Sequence, residues 1–219
     1  MLRAAIFDVD GVLVDSYGPH YRSWCELAAE SGLSITEEQF AETFGRTSRD
    51  IIRRFWGDDA VDDARVHELD DRKEALYREI VSADFPAMDG AAELIDALHD
   101  DGILLAVGSS GPPENVALVL ERLGRRDRIG AVVTGMDVTR GKPDPQVFLI
   151  AARKLGVAPD SCVVVEDAPD GIRATHAAGM AAVALVSTGR ANDDFNDVAP
   201  DIIVESLSEL TPDLLRTLR

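Results

Sequence analysis

The sequence predicts an α/β protein: a parallel sheet with helices on both faces, interrupted after its first strand by an inserted α-helical bundle. Three observations carry this expectation. From residue 103 onward, short apolar runs alternate with amphipathic segments of helical length. Those runs are continuous in Val, Ile, Leu and Ala, as strands buried on both faces require. Residues 17–85 differ, because they contain no convincing strand and carry helical periodicity instead.

Taken in order, the chain opens with a strand over residues 3–8. Helical patterns follow through 18–31, 36–44, 48–56 and about 61–83, and Thr36 with Gln39 has the spacing of a capping box. The sequence returns to the sheet near Pro86–Gly90. ILLAVGSS (103–110) then reads as a strand and ENVALVLERLG (114–124) as a helix. AVVTG (131–135) is a strand, and PQVFLIAARKLG (145–156) a helix ended by Gly156. CVVVED (162–167) is a strand, and GIRATHAAG (171–179) a helix ended by Gly179. AAVALVS (181–187) and DIIVES (201–206) are strands, and TPDLLRTLR is a terminal helix with Pro212 near its first turn. The expected division is therefore a sheet domain of residues 1–16 and 86–219, and a helical domain of 17–85.

Composition narrows the function classes. The chain has 219 residues, enough for one large domain or two small ones, and nearly half are apolar. Its formal charge of −18 argues against nucleic acid as a partner, since phosphate backbones need Lys and Arg. An anionic substrate must instead meet a local cation, and Lys73, Lys142 and Lys154 are the only lysines. No apolar window is long enough to span a bilayer, and MLRAAIFDVDG lacks the parts of a signal peptide. The expectation is a cytoplasmic monomer with no membrane partner. Cys25 and Cys162 are far apart in sequence with no CxxC, and are expected to be buried free thiols.

In an open α/β sheet, ligands bind at the carboxyl ends of the strands. Four strand ends or following loops carry distinctive polar groups: Asp8 and Asp10, then Ser109, then Lys142, then Glu166 and Asp167. Several carboxylates with a lysine and a hydroxyl suit Mg²⁺ and a phosphoryl group. Asp8 is placed to attack phosphorus, Asp10 to give a proton to the leaving oxygen, and Lys142 to offset the crowded negative charge. Asp170 suits the start of the helix near Gly171 as an N-cap.

Four motifs in this order, FDVDGVLVDS (7–16), VGSSG (107–111), GKPDP (141–145) and VVVEDAPDG (163–171), resemble those of the haloacid dehalogenase superfamily. The likeness covers essentially the whole chain and points to the branch with a helical cap after the first strand, which holds β-phosphoglucomutase and phosphoglycolate phosphatase. It implies a Rossmann-like core and a small phosphorylated metabolite as substrate. It further implies that Asp8 is nucleophile and Mg²⁺ ligand, and that Asp10 is general acid/base with its carbonyl on the metal. Ser109, with Ser110 beside it, and Lys142 hold the phosphoryl group; Asp167 ligates Mg²⁺, with Glu166 as ligand or neighbour. Gly11 allows the tight turn that keeps both acids on one rim.

The cap is expected to set substrate choice. His20 and Trp24 match a His-x-x-x-Trp pattern of the mutase-like members, and Lys73 with Tyr77 resembles the Lys-x-x-x-Tyr of the last cap helix. Trp24 also reads as cap core and Lys73 as a solvated helix lysine. FGRTSRD (44–50) resembles the specificity loop, where Arg46 or Arg49 would contact an anionic group and Ser48 would cap the next helix. A dehalogenase is disfavoured because Asp10 is present, and a phosphonate-cleaving enzyme because no cap lysine precedes Lys73. A phosphomutase is the rival to a phosphatase. The mutase has a lysine where this chain has Phe44, and polar groups where it has Gly111, Pro112 and Pro113. A catalytically idle relative is the remaining alternative, and the intact chemistry of four motifs argues against it.

Overall fold

The computed structural model describes residues 1–43, 46–57 and 61–218. Its strands are β1 (Ala4–Phe7), β2 (Leu104–Gly108), β3 (Ala131–Val133), β4 (Cys162–Glu166), β5 (Ala181–Leu185) and β6 (Ile202–Val204). They form one sheet in the order β3-β2-β1-β4-β5-β6, with every neighbouring pair parallel. β1, β4 and β5 are buried at every position, and all their side chains are apolar except Glu166 at the end of β4. Phe7 lies beside Val107 on one side and Val165 on the other, so three strand ends are level.

The chain divides into two units, residues 1–15 with 86–219, and residues 16–85. The second unit holds four helices among the described residues: α1 (Tyr17–Glu30), α2 (Glu37–Ala41), α3 (Ser48–Trp56) and α4 (Asp63–Ala83). Their inner faces share Trp24, Leu27, Phe40, Ile52, Leu69 and Leu76. The expected capping box is formed: Thr36 Oγ1 accepts from the Gln39 N–H at 3.2 Å, and Gln39 Oε1 accepts from the Thr36 N–H at 2.9 Å. α2 is nevertheless shorter than the 36–44 expected. Ser48 does not cap α3; Thr47 does, accepting from the Asp50 N–H at 3.2 Å. The Thr47 backbone is extended and Ser48 is the first helical residue, so only Thr47 has the geometry of a cap.

The first unit carries α5 (Ala91–Asp100), α6 (Pro113–Leu123), α7 (Gln146–Leu155), α8 (Pro169–Ala177) and a short α9 (Pro212–Leu215). On one face of the sheet, Ile6, Ala106 and Val164 pack with Phe148 and Ala151 of α7. Farther along the same face, Ala182 and Ala184 of β5 pack with Ile172, Phe195 and Val198. The chain leaves this unit after Asp15 and re-enters it at Pro86. The two passages are zipped together: Asp15 N–H donates to the Pro86 carbonyl at 2.8 Å, Met88 N–H donates to the Leu13 carbonyl at 3.2 Å, and Val14 bridges Ala87 antiparallel. Cys162 is buried but Cys25 only half-buried; each is a free thiol donating to a backbone carbonyl. Among the described residues no helix is long and apolar enough to cross a membrane.

Candidate active site

β1 is the point where the strand order reverses: β2 and β3 lie to one side of it, and β4, β5 and β6 to the other. A crevice opens beyond the carboxyl ends of strands at such a point. Asp8 follows β1, Ser109 follows β2, Glu166 ends β4 and Asp167 follows it. All four are buried. Asp8 extends the ladder by one bond, its N–H donating to the Val165 carbonyl at 3.0 Å, which fixes where its side chain emerges.

Asp8, Glu166 and Asp167 each offer a carboxylate oxygen, and the three oxygens lie within 4.8 Å of one another. Lys142 reaches in from the loop before α7. Its Nζ donates to Asp8 Oδ1 at 2.8 Å and to Glu166 Oε1 at 2.5 Å, and it lies 4.9 Å from the centroid of the Phe148 ring. The other Glu166 oxygen accepts from the Ala168 N–H at 2.8 Å. Asp167 is served separately, by the Ser187 hydroxyl at 2.8 Å, with Arg190 Nε 4.0 Å from the same oxygen. Three buried carboxylates face one close lysine and one more distant arginine. That excess of negative charge, with all-oxygen donors, fits Mg²⁺.

The surroundings leave their mark on the titrations. Burial pushes Asp8 well above the usual carboxylate range; Lys142 opposes this, while Glu166 and Asp167 add to it. Burial and then Glu166 push Asp167 up to about 7, against Arg190, Ser187 and Lys142. Burial lowers Lys142 most, yet Asp8 and Glu166 together hold it above its ordinary value. A carboxyl whose folded pKa is raised binds its proton more tightly in the folded state. The stability this gives is complete below the unfolded value of 3.8 and is lost as pH rises through about 7. Metal-free protein is therefore expected to melt at a lower temperature at pH 8 than at pH 5. Thermal melts in chelator test this. Asp167→Asn should show a shallower fall, and an identical fall in that variant would contradict the assignment.

Two glycines make room for the acids. Gly11 has φ +74°, and a Cβ there would lie 2.1 Å from Asp167 Oδ2. A Cβ on Gly171 would lie 1.9 Å from the Glu166 carboxyl. Around Gly111, a Cβ would stand 3.3 Å from Ser109 Oγ and 3.5 Å from Asp10 Oδ2, so both groups flank one small gap. Ser109 Oγ accepts from the Gly111 N–H at 2.9 Å, which leaves its O–H to donate elsewhere. Asp10 is half-buried, and Ser110 is exposed one residue beyond Ser109.

In the helical unit, Lys73 is not a solvated lysine: it is 3% exposed. Its Nζ donates to His20 Nδ1 at 2.9 Å and to Glu74 Oε1 at 2.8 Å. His20 stacks on Tyr77 with ring centroids 4.2 Å apart, and Trp24 belongs to the core of that unit. Arg46 is exposed, and Arg49 lies 3.3 Å from Asp63. Phe44, which entered the comparison with the mutase, lies outside the described residues. Asp170 does not cap α8; Ala168 holds the N-cap position, and Asp170 pairs with Arg173 at 2.7 Å. Pro169 starts the helix earlier than Gly171, which moves Asp170 inside its first turn. Sequence reasoning missed Ser187 and Arg190, because a serine and an arginine three apart in a loop carry no signal until β5 sets them beside Asp167.

The profile of the haloacid dehalogenase-like hydrolase family matches residues 2–179. The chain is 30% identical over 213 residues to validoxylamine A 7′-phosphate phosphatase of Streptomyces hygroscopicus subsp. limoneus, covering 96% of each. It is 32% identical over 220 residues to β-phosphoglucomutase of Bacillus subtilis (strain 168), covering 98% of this chain and 94% of that one. Among solved structures, CbbY from Rhodobacter sphaeroides in complex with phosphate superposes with a TM-score of 0.88 at 25% identity, over 99% of this chain and 100% of the other. With four motifs gathered on one rim and a family profile spanning most of its length, the chain belongs to the haloacid dehalogenase-like hydrolase family.

Proposed function

We propose that this chain is a Mg²⁺-dependent phosphatase that hydrolyses a small phosphomonoester, of the sugar-phosphate or phosphoglycolate type, through an aspartyl phosphate on Asp8. The observation that carries the reading is the buried group of Asp8, Glu166 and Asp167 around Lys142, with Asp10 and Ser109 flanking Gly111. A relative named as a 7′-phosphate phosphatase and a neighbour solved with phosphate support a phosphorylated small molecule as substrate. The enzyme acts as a cytoplasmic monomer.

Asp8, Asp167 and the Asp10 carbonyl would hold Mg²⁺, with Glu166 as ligand or immediate neighbour; when bound it neutralises charge on the phosphoryl oxygens. Lys142 holds the Asp8 carboxylate in a fixed orientation and opposes the burial that disfavours its ionised form. Asp8 attacks phosphorus in line, and the bond to the leaving oxygen breaks as Asp10 gives that oxygen a proton. Asp10 then takes a proton from water, whose oxygen bonds phosphorus while the bond to Asp8 breaks. Lys142, Ser109, Ser110 and backbone N–H groups near residues 9–10 stabilise the transferring group. In the helical unit, His20, Lys73, Arg46 and Arg49 are the residues that would contact the rest of the substrate.

Two observations favour a mutase as the second reading. Lys73 is buried and bonded to the half-buried His20 rather than solvated, and one relative is named a β-phosphoglucomutase. Against it, Gly111, Pro112 and Pro113 offer no polar side chain, and the two prolines no N–H, to grip a second phosphate. Phosphorus NMR separates the two. β-Glucose 1-phosphate is supplied with Mg²⁺ and a trace of the 1,6-bisphosphate. The phosphatase reading expects free phosphate, or no reaction with this sugar followed by release from another phosphomonoester. Glucose 6-phosphate without free phosphate would overturn it.

A further inference from the structure

Asp167 has a holder of its own, distinct from the lysine that serves Asp8 and Glu166. Ser187, the second residue past β5, is buried and donates from Oγ to Asp167 Oδ2. Arg190 Nε faces the same oxygen at 4.0 Å. The two side chains come from one tight turn. Arg190 N–H donates to the Ser187 carbonyl at 3.0 Å, and Gly189 at the third position has φ +83°. That is the type II pattern, which needs a residue without a Cβ at this place. The turn is anchored at both flanks. Val186 N–H donates to the Val204 carbonyl of β6 at 2.9 Å, and Thr188 Oγ1 donates to Asp15 Oδ2 at 2.8 Å. Gly11 runs close to the same pair: a Cβ there would lie 2.1 Å from this Asp167 oxygen and 3.1 Å from Ser187 Oγ.

We propose that Ser187 is a positioning residue for Asp167: the 187–190 turn ties one carboxylate oxygen to the protein and presents the other to the divalent cation. This rests on the Mg²⁺ reading above. A carboxylate at a strand end can swing about its last torsion, and a ligand that swings binds metal weakly. One hydroxyl donor fixes the plane of the group. Arg190 makes the same selection by charge, since a cation avoids the oxygen that a guanidinium faces. The sheet thus divides the work, with Lys142 orienting the acids of β1 and β4 and the turn after β5 orienting Asp167.

The test is Mn²⁺ binding to the full chain, read from the paramagnetic resonance of free Mn²⁺ with no substrate present. Ser187→Ala is expected to weaken binding about 10- to 100-fold, the range for groups that orient a metal ligand. Ser187→Thr keeps the donor and should bind within about threefold of the wild type. Wild-type binding in Ser187→Ala, or equal weakening in the Thr variant, would overturn the proposal. Asp167→Asn is the control. If the wild type binds no Mn²⁺, or Asp167→Asn binds as tightly as the wild type, the metal reading itself fails. Should Ser187→Ala not fold, Ser187→Cys, with its weak donor, takes its place with the same expectations.

Discussion

Asp8→Asn is expected to abolish phosphate release and, in the same variant, to raise the melting temperature of the metal-free protein. The first effect follows from chemistry. An amide oxygen is a poor nucleophile toward phosphorus, and loss of a nucleophile costs at least about 10⁴-fold in turnover. The second follows from charge. Asp8 sits buried among Glu166 and Asp167, and its raised pKa says that the fold disfavours its ionised form. Asparagine has the same shape and removes one of three crowded charges, while Lys142 keeps Glu166 as its partner. A gain of about 1 kcal/mol corresponds to about 2–4 °C in a chain of this size. Phosphate release at a range of Mg²⁺ concentrations, with melts in chelator, checks both. Substantial Mg²⁺-dependent turnover in this variant would sink the mechanism.

Lys142→Met is expected to do the reverse to stability. It removes the cation bonded to both Asp8 and Glu166 and leaves three carboxylates buried together. Breaking a buried pair by deleting one partner costs about 3–5 kcal/mol. The loss should be greater at pH 8 than at pH 5, because at the lower pH the raised carboxyls take up protons and shed the repulsion. Mg²⁺ should restore part of it, about 2.7 kcal/mol at one hundred times its dissociation constant. Turnover should stay low even then, by about 10²–10³-fold, since the lysine no longer steadies the transferring charge. Denaturant unfolding with and without Mg²⁺ is the measurement. Wild-type stability in chelator would mean that Lys142 does not balance this cluster.

Much of the core was readable because its signals are local. Continuous apolar runs such as CVVVE can be satisfied only by a strand buried on both faces, and Gly156 or Pro212 punctuates a helix whatever surrounds it. The acids at strand ends were legible for the same reason, since two carboxylates directly after CVVV need partners. What was not legible depends on distant residues. Nothing around Lys73 announces that His20 will accept a hydrogen bond from it, and the packing of α1 on α4 buries the lysine. Ser187 and Arg190 gain meaning only from the pairing of β5 with β4, which brings the end of one strand beside the acid after the other. Thr47 and Ser48 are chemically alike as caps, and a single residue's backbone decided between them.

The zipper joining Leu13–Asp15 to Pro86–Met88 bears on how such a protein could change over generations. The helical segment departs from the core and returns to it at adjacent points of one antiparallel pair. To the core it is equivalent to a hairpin loop that happens to be 70 residues long. Any guest whose own ends lie close together meets the same boundary condition, so one guest can replace another without disturbing the pairing beneath. The four polar segments on the sheet rim all lie outside the exchanged stretch. A lineage can therefore exchange the helical segment while inheriting the sheet rim unaltered, and the seam for that exchange is three residues wide on each side.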